Sequence, residues 1–153
     1  MITGRAKMNF GTASLAKFYV EPTNRCNLDC PMCMRRTWDE PAGEMSSAVF
    51  RRLLHGLTAF VPRPGIFFGG IGEPLLHPGI IEMVAESKAA GACVELITNG
   101  TLLTPELSIE LIRAGLDGLW VSIDGGIPGT HAGSRPGARL DSVIENLRGF
   151  REA

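Results

Sequence analysis

This 153-residue chain has almost no excess of charge of either sign, no long apolar run and only four cysteines. Fifteen Lys and Arg against sixteen Asp and Glu leave a formal charge of −1. That balance gives no electrostatic reason to expect a nucleic acid or an anionic membrane as partner. No stretch approaches the ~20 apolar residues of a membrane-spanning helix, and the opening "MITGRAKMNFGTASLAKFYVE" lacks the apolar core of a secretory signal. A cytoplasmic chain is therefore expected. In that reducing setting, clustered thiols point to metal ligands or catalytic groups before disulfides. With 44% hydrophobic and 20% charged residues the composition excludes disorder, and the length suits one domain with a core of its own.

Strand and helix patterns alternate along the chain. "KFYVE" (17–21), "GIFFGG" (65–70), "CVELI" (93–97) and "LWVSI" (119–123) read as strands. "MSSAVFRRLLHGL" places Val49, Phe50, Leu53, Leu54 and Leu57 at helical spacing, with Ser46 as cap. "HPGIIEMVAESKAAG" sets Ile80, Met83 and Val84 on one helical face, with His77 helping to start it and Gly91 past its end. In "TPELSIELIRAG", Thr104 is the expected N-cap, Pro105 the first helical residue and Gly115 the stop. A Gly/Pro-rich loop follows the fourth strand. Asp141 is then expected to cap a last helix bearing Val143, Ile144, Leu147 and Phe150. "AAGACVELITNG" and "IRAGLDGLWVSIDG" share one plan, 24 residues apart from Gly91 to Gly115. Repeated βα units imply an α/β fold with a parallel sheet of about four units. Ligand groups in such a sheet gather beyond the carboxyl ends of its strands.

The unusual stretches all fall on that rim. "CNLDCPMC" follows the first strand, "GIGEP" the second, "TNG" the third and "DGG" the fourth. Three of the four cysteines lie within eight residues, and three buried thiols in one loop have no packing purpose. A structural zinc site would need a fourth ligand. His55 and His77 could supply it in space, although His55 reads as a helix-surface residue. A four-iron cluster normally takes four cysteines, so three leave one iron open for chemistry. Blander readings stand beside these. "TNG" could be only a turn, Ser122 and Asp124 could cap locally, Arg35 and Arg36 read as a solvated pair, and Phe67, Phe68 and the isolated Cys93 read as core.

"CNLDCPMC" resembles the CxxxCxΦC signature of the radical S-adenosylmethionine (radical SAM) superfamily, with Met32 at Φ. "GGIGEP" (69–74), "ITNG" (97–100) and "VSIDG" (121–125) resemble that family's next three strand-end motifs, in order. Arg135 falls eleven residues after Asp124, as in relatives reading "DGxxPETHDRIRG", although "THAGSR" lacks their acid after the histidine. The resemblance implies a partial (β/α) barrel and a four-iron four-sulfur cluster held by Cys26, Cys30 and Cys33. It also implies S-adenosylmethionine on the open iron, its amino group received by backbone around Gly70, Gly72 and Glu73. Met32 would lie against the adenine. Thr98, Ser122 and Asp124 would contact the methionyl and ribose parts, and Arg135 would pair with the carboxylate. The implied reaction is reductive cleavage to a deoxyadenosyl radical that abstracts hydrogen, fed by a one-electron donor such as a ferredoxin or flavodoxin.

"EPTNRCNLDCPMCMRRTWDEPAGEM" further resembles the opening of SPASM-type maturases, and "RRTWDEPAGEM" those associated with tungsten-cofactor oxidoreductases. A peptide, protein or cofactor-precursor substrate is the corresponding expectation. Residues 1–16 read as a lead-in and 17–153 as the core. The core stops after the fourth of the family's six βα units, so an N-terminal piece of a longer enzyme is expected ahead of a natural short form that needs a partner chain, with an exposed edge at the fourth strand. Two other readings compete. One is a non-catalytic zinc or iron–sulfur binding module, which tight binding of S-adenosylmethionine would count against. The other is a phosphate-binding turn at "GIGEP", which lacks the Lys-Ser/Thr of a P-loop.

Overall fold

The structure is a computed structural model and describes residues 15–153. All but the last two residues of the expected lead-in over 1–16 lie outside that range. Strands β1 (Lys17–Val20), β2 (Gly65–Phe68), β3 (Val94–Thr98) and β4 (Gly118–Val121) form one sheet in the order β1-β2-β3-β4. Every pairing is parallel, with Tyr19 opposite Phe67, Phe67 opposite Glu95 and Ile97 opposite Trp120. The four-unit α/β reading is what the chain adopts.

Alternation along the strands decides which face is covered. Val20, Ile66, Phe68, Val94 and Leu96 are buried on one face, beneath α1 (Ser47–Leu57), α2 (Ile80–Ala89) and α3 (Pro105–Arg113). Phe50 and Leu57 of α1, Met83 and Val84 of α2, and Leu111 of α3 complete this core. Removing a side chain of this size from water contributes roughly 1.5–3 kcal/mol. The other face is open. Phe67 turns to it, away from Phe68, and stacks on Tyr19 with ring centroids 5.0 Å apart. Only Phe68 of that pair is core, because neighbouring strand residues point to opposite faces. Cys93 is likewise exposed, since Val94 takes the inward position beside it.

The helices begin and end much as their sequences require. Ser46 accepts from Val49 N at 3.3 Å and Thr104 from Leu107 N at 3.3 Å, each capping its helix. Helices α2 and α3 stop in the same way, with Gly91 at φ +81° and Gly115 at φ +91°. Ala92 N then bonds back to Ser87 O, and Leu116 N to Leu111 O, both at 3.1 Å. The 24-residue repeat is thus a repeated helix stop feeding a parallel strand.

Two details differ from expectation. The loop after β4 holds a short helix, α4 (Pro128–Ser134), started by Pro128. The last helix, α5 (Leu140–Glu152), has Arg139 at its N-cap position with no side-chain capping bond, so Asp141 lies inside the first turn, where its charge favours the helix dipole. Helix α5 still reaches the rim, through Asn146 Nδ2 donating to Gly100 O at 2.9 Å.

Candidate cluster and cofactor site

The loop after β1 is pinned before it reaches the cysteines. Met45 N donates to Pro22 O at 2.7 Å, Thr23 Oγ1 to Gly43 O at 2.8 Å, and Glu73 N to Arg25 O at 2.7 Å. The last of these ties it to the loop after β2. Cys33 N then closes a turn on Cys30 O at 3.0 Å, and Cys33 begins a 3-10 turn over Met34–Thr37. Leu28, Cys30 and Ala138 form a small core, against which Cys26 and Cys33 pack.

Two of the three thiols face backbone donors. Leu28 N points to Cys26 Sγ at 3.5 Å and Arg35 N to Cys33 Sγ at 3.4 Å. All three cysteines are free. Burial pushes the Cys30 thiol above its usual range, opposed by the nearby Arg135 guanidinium. Among the described residues, no three or more His, Cys, Asp and Glu side chains converge on a point that could hold a metal ion. The three thiols instead line a cavity of about 300 Å³. His77 does not join them: its Nε2 lies 2.9 Å from Met45 O, and its Nδ1 accepts from Gly79 N. His55 is exposed on α1.

The same cavity collects most of the other expected residues. Met32 lies on its wall, 58% exposed, with Gly70, Gly72 and Glu73 from the β2 loop. Thr98, Ser122 and Arg135 complete the expected set, and Ile71, Ile97 and Asn99 join it. Asp124 is not on the wall. Its Oδ2 accepts from Arg135 Nε at 2.5 Å, so the carboxylate orients the arginine that does line the cavity.

The two glycines expected to admit a ligand are approached by the chain itself. A Cβ on Gly70 would lie 2.3 Å from Glu21 Oε1. That oxygen accepts from Ile71 N at 2.6 Å and Gly72 N at 3.3 Å. A Cβ on Gly72 would lie 2.0 Å from Thr23 O, in the strap leading to the cysteines. Glycine here lets the β1 and β2 loops touch.

Glu73 is 2% exposed, and its side chain is a latch. Oε1 accepts from Thr98 Oγ1 at 2.7 Å and Leu75 N at 3.1 Å, while Oε2 accepts from Asn99 N at 2.8 Å. Burial raises its pKa above the ordinary carboxylate value, and these three donors oppose the rise. Thr98 Oγ1 also accepts from Gly100 N at 3.0 Å, so that hydroxyl is engaged within the chain. Arg35 and Arg36, expected as a solvated pair, part company. Arg36 forms a two-pronged pair with Asp29, whereas Arg35 Nη2 donates to Leu28 O at 2.5 Å inside the cysteine loop. The sequence reading passed over Asn99 and Glu21. Asn99 sits within the quoted "TNG", and Glu21 ends the quoted first strand.

Comparison with known proteins agrees with this geometry. Residues 20–153 match the family profile of the Radical SAM superfamily. The chain is 42% identical over 106 residues to the tungsten-containing aldehyde ferredoxin oxidoreductase cofactor-modifying protein of Pyrococcus furiosus, an alignment covering 69% of this chain and 30% of that protein. It is 40% identical over 133 residues to the AdoMet-dependent heme synthase of Methanosarcina barkeri, covering 84% of this chain and 38% of that one. The chain thus spans about a third of the length of these relatives. In fold it is similar to anSMEcpe, solved with bound AdoMet and the Cp18Cys peptide, with a TM-score of 0.75 and 21% identity over 90% of this chain and 40% of that one. A parallel sheet with three cysteines and three further motifs on one rim, matched along nearly its whole described length, places this chain in the radical SAM superfamily of enzymes.

Proposed function

We propose that Cys26, Cys30 and Cys33 hold a four-iron four-sulfur cluster and that the adjoining cavity binds S-adenosylmethionine. One observation carries the reading: a single cavity is lined by all three thiols and by residues beyond the ends of all four strands. So bound, the pair supplies one-electron reductive cleavage of the sulfonium to a deoxyadenosyl radical that abstracts hydrogen from a substrate. The chain's own part is to bind, orient and exclude water. Met32, Ile71 and Ile97 offer apolar wall to the adenosyl part. The hydroxyl of Ser122 faces polar ligand atoms, and Arg135, aligned by Asp124, presents its positive charge to the carboxylate. Glu73 and Thr98 act through backbone and by latching the β2 loop to the end of β3, with Gly70 and Gly72 keeping the loops in contact.

The resemblance to a cofactor-modifying protein and a heme synthase supports a role in peptide or cofactor maturation; a ferredoxin or flavodoxin is the one-electron donor that this reading calls for. It also supports reading 17–153 as radical SAM core. The test is anaerobic iron–sulfur reconstitution followed by electron paramagnetic resonance of the reduced protein. A four-iron signal that shifts when S-adenosylmethionine is added is the expected result. Cys30→Ser should take up far less than four irons per chain. Zinc bound in place of a cluster would overturn the reading.

A further inference from the structure

Asn99 is the residue of the rim most completely enclosed by partners that the proposed chemistry leaves without a role. It is 5% exposed and lines the cavity beside Cys26. Its backbone N donates to the buried Glu73 carboxylate at 2.8 Å. Its side-chain oxygen accepts twice, from Thr101 N at 2.9 Å and Thr101 Oγ1 at 2.6 Å. Its side-chain nitrogen donates to Asn27 Oδ1 at 2.9 Å and faces Cys26 Sγ at 3.9 Å. Asn27 Nδ2 in turn donates to Thr101 Oγ1 at 2.8 Å, which closes a ring among Asn27, Asn99 and Thr101.

The ring fixes which way the amide points. Turning it over would set the NH2 group against the Thr101 backbone N–H and the oxygen against the acceptor Asn27 Oδ1, losing hydrogen bonds on both sides. The second amide N–H is therefore left facing the sulfur of Cys26, at 3.9 Å between the heavy atoms. A thiolate on iron is a better acceptor than a thiol, so this contact strengthens when the site is loaded. It strengthens most in the reduced state, which carries one more negative charge, and hydrogen bonds to the sulfurs are one of the determinants of cluster potential.

We infer that Asn99 is a positioning residue that raises the reduction potential of the cluster by holding an amide N–H against Cys26 Sγ, with Thr101 fixing its orientation. The inference rests on the cluster reading above. Its geometry is specific to the first of the three cysteines: Cys26 and Cys33 each receive a backbone donor from their own loop, and Cys26 faces the Asn99 amide in addition.

The experiment is a potentiometric titration of the anaerobically reconstituted protein, followed by electron paramagnetic resonance, with iron content and circular dichroism recorded alongside. Asn99→Ala is expected to load iron and to become harder to reduce by about tenfold, a shift of ~59 mV to more negative potential for a one-electron couple. Thr101→Val keeps the amide and the shape but removes the hydroxyl that helps to orient it. It is expected to shift the potential in the same direction by less. Wild-type potentials in both loaded variants would overturn the inference and leave the cluster reading intact. If Asn99→Ala fails to fold or to hold iron, Thr101→Val alone decides between the two outcomes. Absence of a four-iron cluster from the wild-type chain would instead overturn the reading on which the inference rests.

Discussion

The base of the sheet and the Glu73 latch at its rim handle charge in opposite ways. At the base, where the strands begin, charges meet charges in the open. Lys88 Nζ reaches Asp117 at 2.7 Å, with the two side chains 32% and 38% exposed, and Lys17 pairs with Glu95 across β2. At the rim, Glu73 is buried with no ion pair among the described residues, and backbone and hydroxyl donors surround it. Exposed pairs are screened by solvent and salt and contribute little. A buried carboxylate is tolerated only while its donors stay in place, and each donor needs it equally. The base can therefore vary cheaply. The rim is a set of loops held together by one another, with little freedom to change one at a time.

Glu73→Ala is the sharpest way to break that contrast. It leaves Leu75 N, Asn99 N and the Thr98 hydroxyl without their acceptor in a buried setting. A loss of roughly 2–4 kcal/mol in urea denaturation is expected. Gly72→Ala follows in size. Its new methyl would press on Thr23 O and Arg25 O, backbone atoms that cannot swing aside, so about 1–3 kcal/mol is lost. At the base, the same change at Gly118 meets only the flexible Glu95 side chain, and its cost in the same denaturation series should be clearly smaller.

The pH response of the rim carries a sign that the base does not share. Burial raises the Glu73 pKa, so the folded state holds this proton more tightly than the unfolded chain. The stability that this proton confers is full below the ordinary carboxylate pKa and is lost as pH rises through the raised value. At the base, Asp117 is held below its usual range, first by the Lys88 contact and then by Val94 N. Its contribution runs the other way, present above the ordinary carboxylate pKa and lost as pH falls. Melting temperatures followed from acid to neutral pH should show Glu73→Gln removing a decline with rising pH that the wild type has. An unchanged pH profile in Glu73→Gln would show that the carboxylate is not burdened by its burial.

Sequence alone located the fold because its punctuation is local. Ser46, Thr104, Pro105, Gly91 and Gly115 each act within four residues of where they stand, so their readings carry directly into caps and stops. Helix α4 was hidden because Gly129 and Gly133 in "PGTHAGS" dilute any helical pattern. The cysteines and the rim motifs were legible for the same local reason, each lying just beyond a strand. What holds them was not. Asn99 meets Asn27 across 72 residues and Thr98 meets Glu73 across 25, distances over which no spacing rule reaches. Glycine in "GGIGEP" reads as room for a ligand to approach. It gave no hint that Glu21 and Thr23 of the chain's own first loop make that approach.

Lys88→Ala tests the quiet half of the comparison, and its expected effect is the smallest. The Lys88 side chain ends helix α2 and binds both carboxylate oxygens of Asp117, at 2.8 and 2.7 Å. Asp117 keeps other partners when the lysine is removed. Its Oδ2 accepts from Val94 N at 2.6 Å, and its own N donates to Val94 O at 2.8 Å, so β3 stays tied to the start of β4. What disappears is one half-exposed pair, and the loss should stay under ~1 kcal/mol and shrink further in high salt. Denaturation of Lys88→Ala at low and high ionic strength checks both points. A loss as large as that of Glu73→Ala, insensitive to salt, would mean that the base is as tightly interlocked as the rim and would remove the distinction between the two ends.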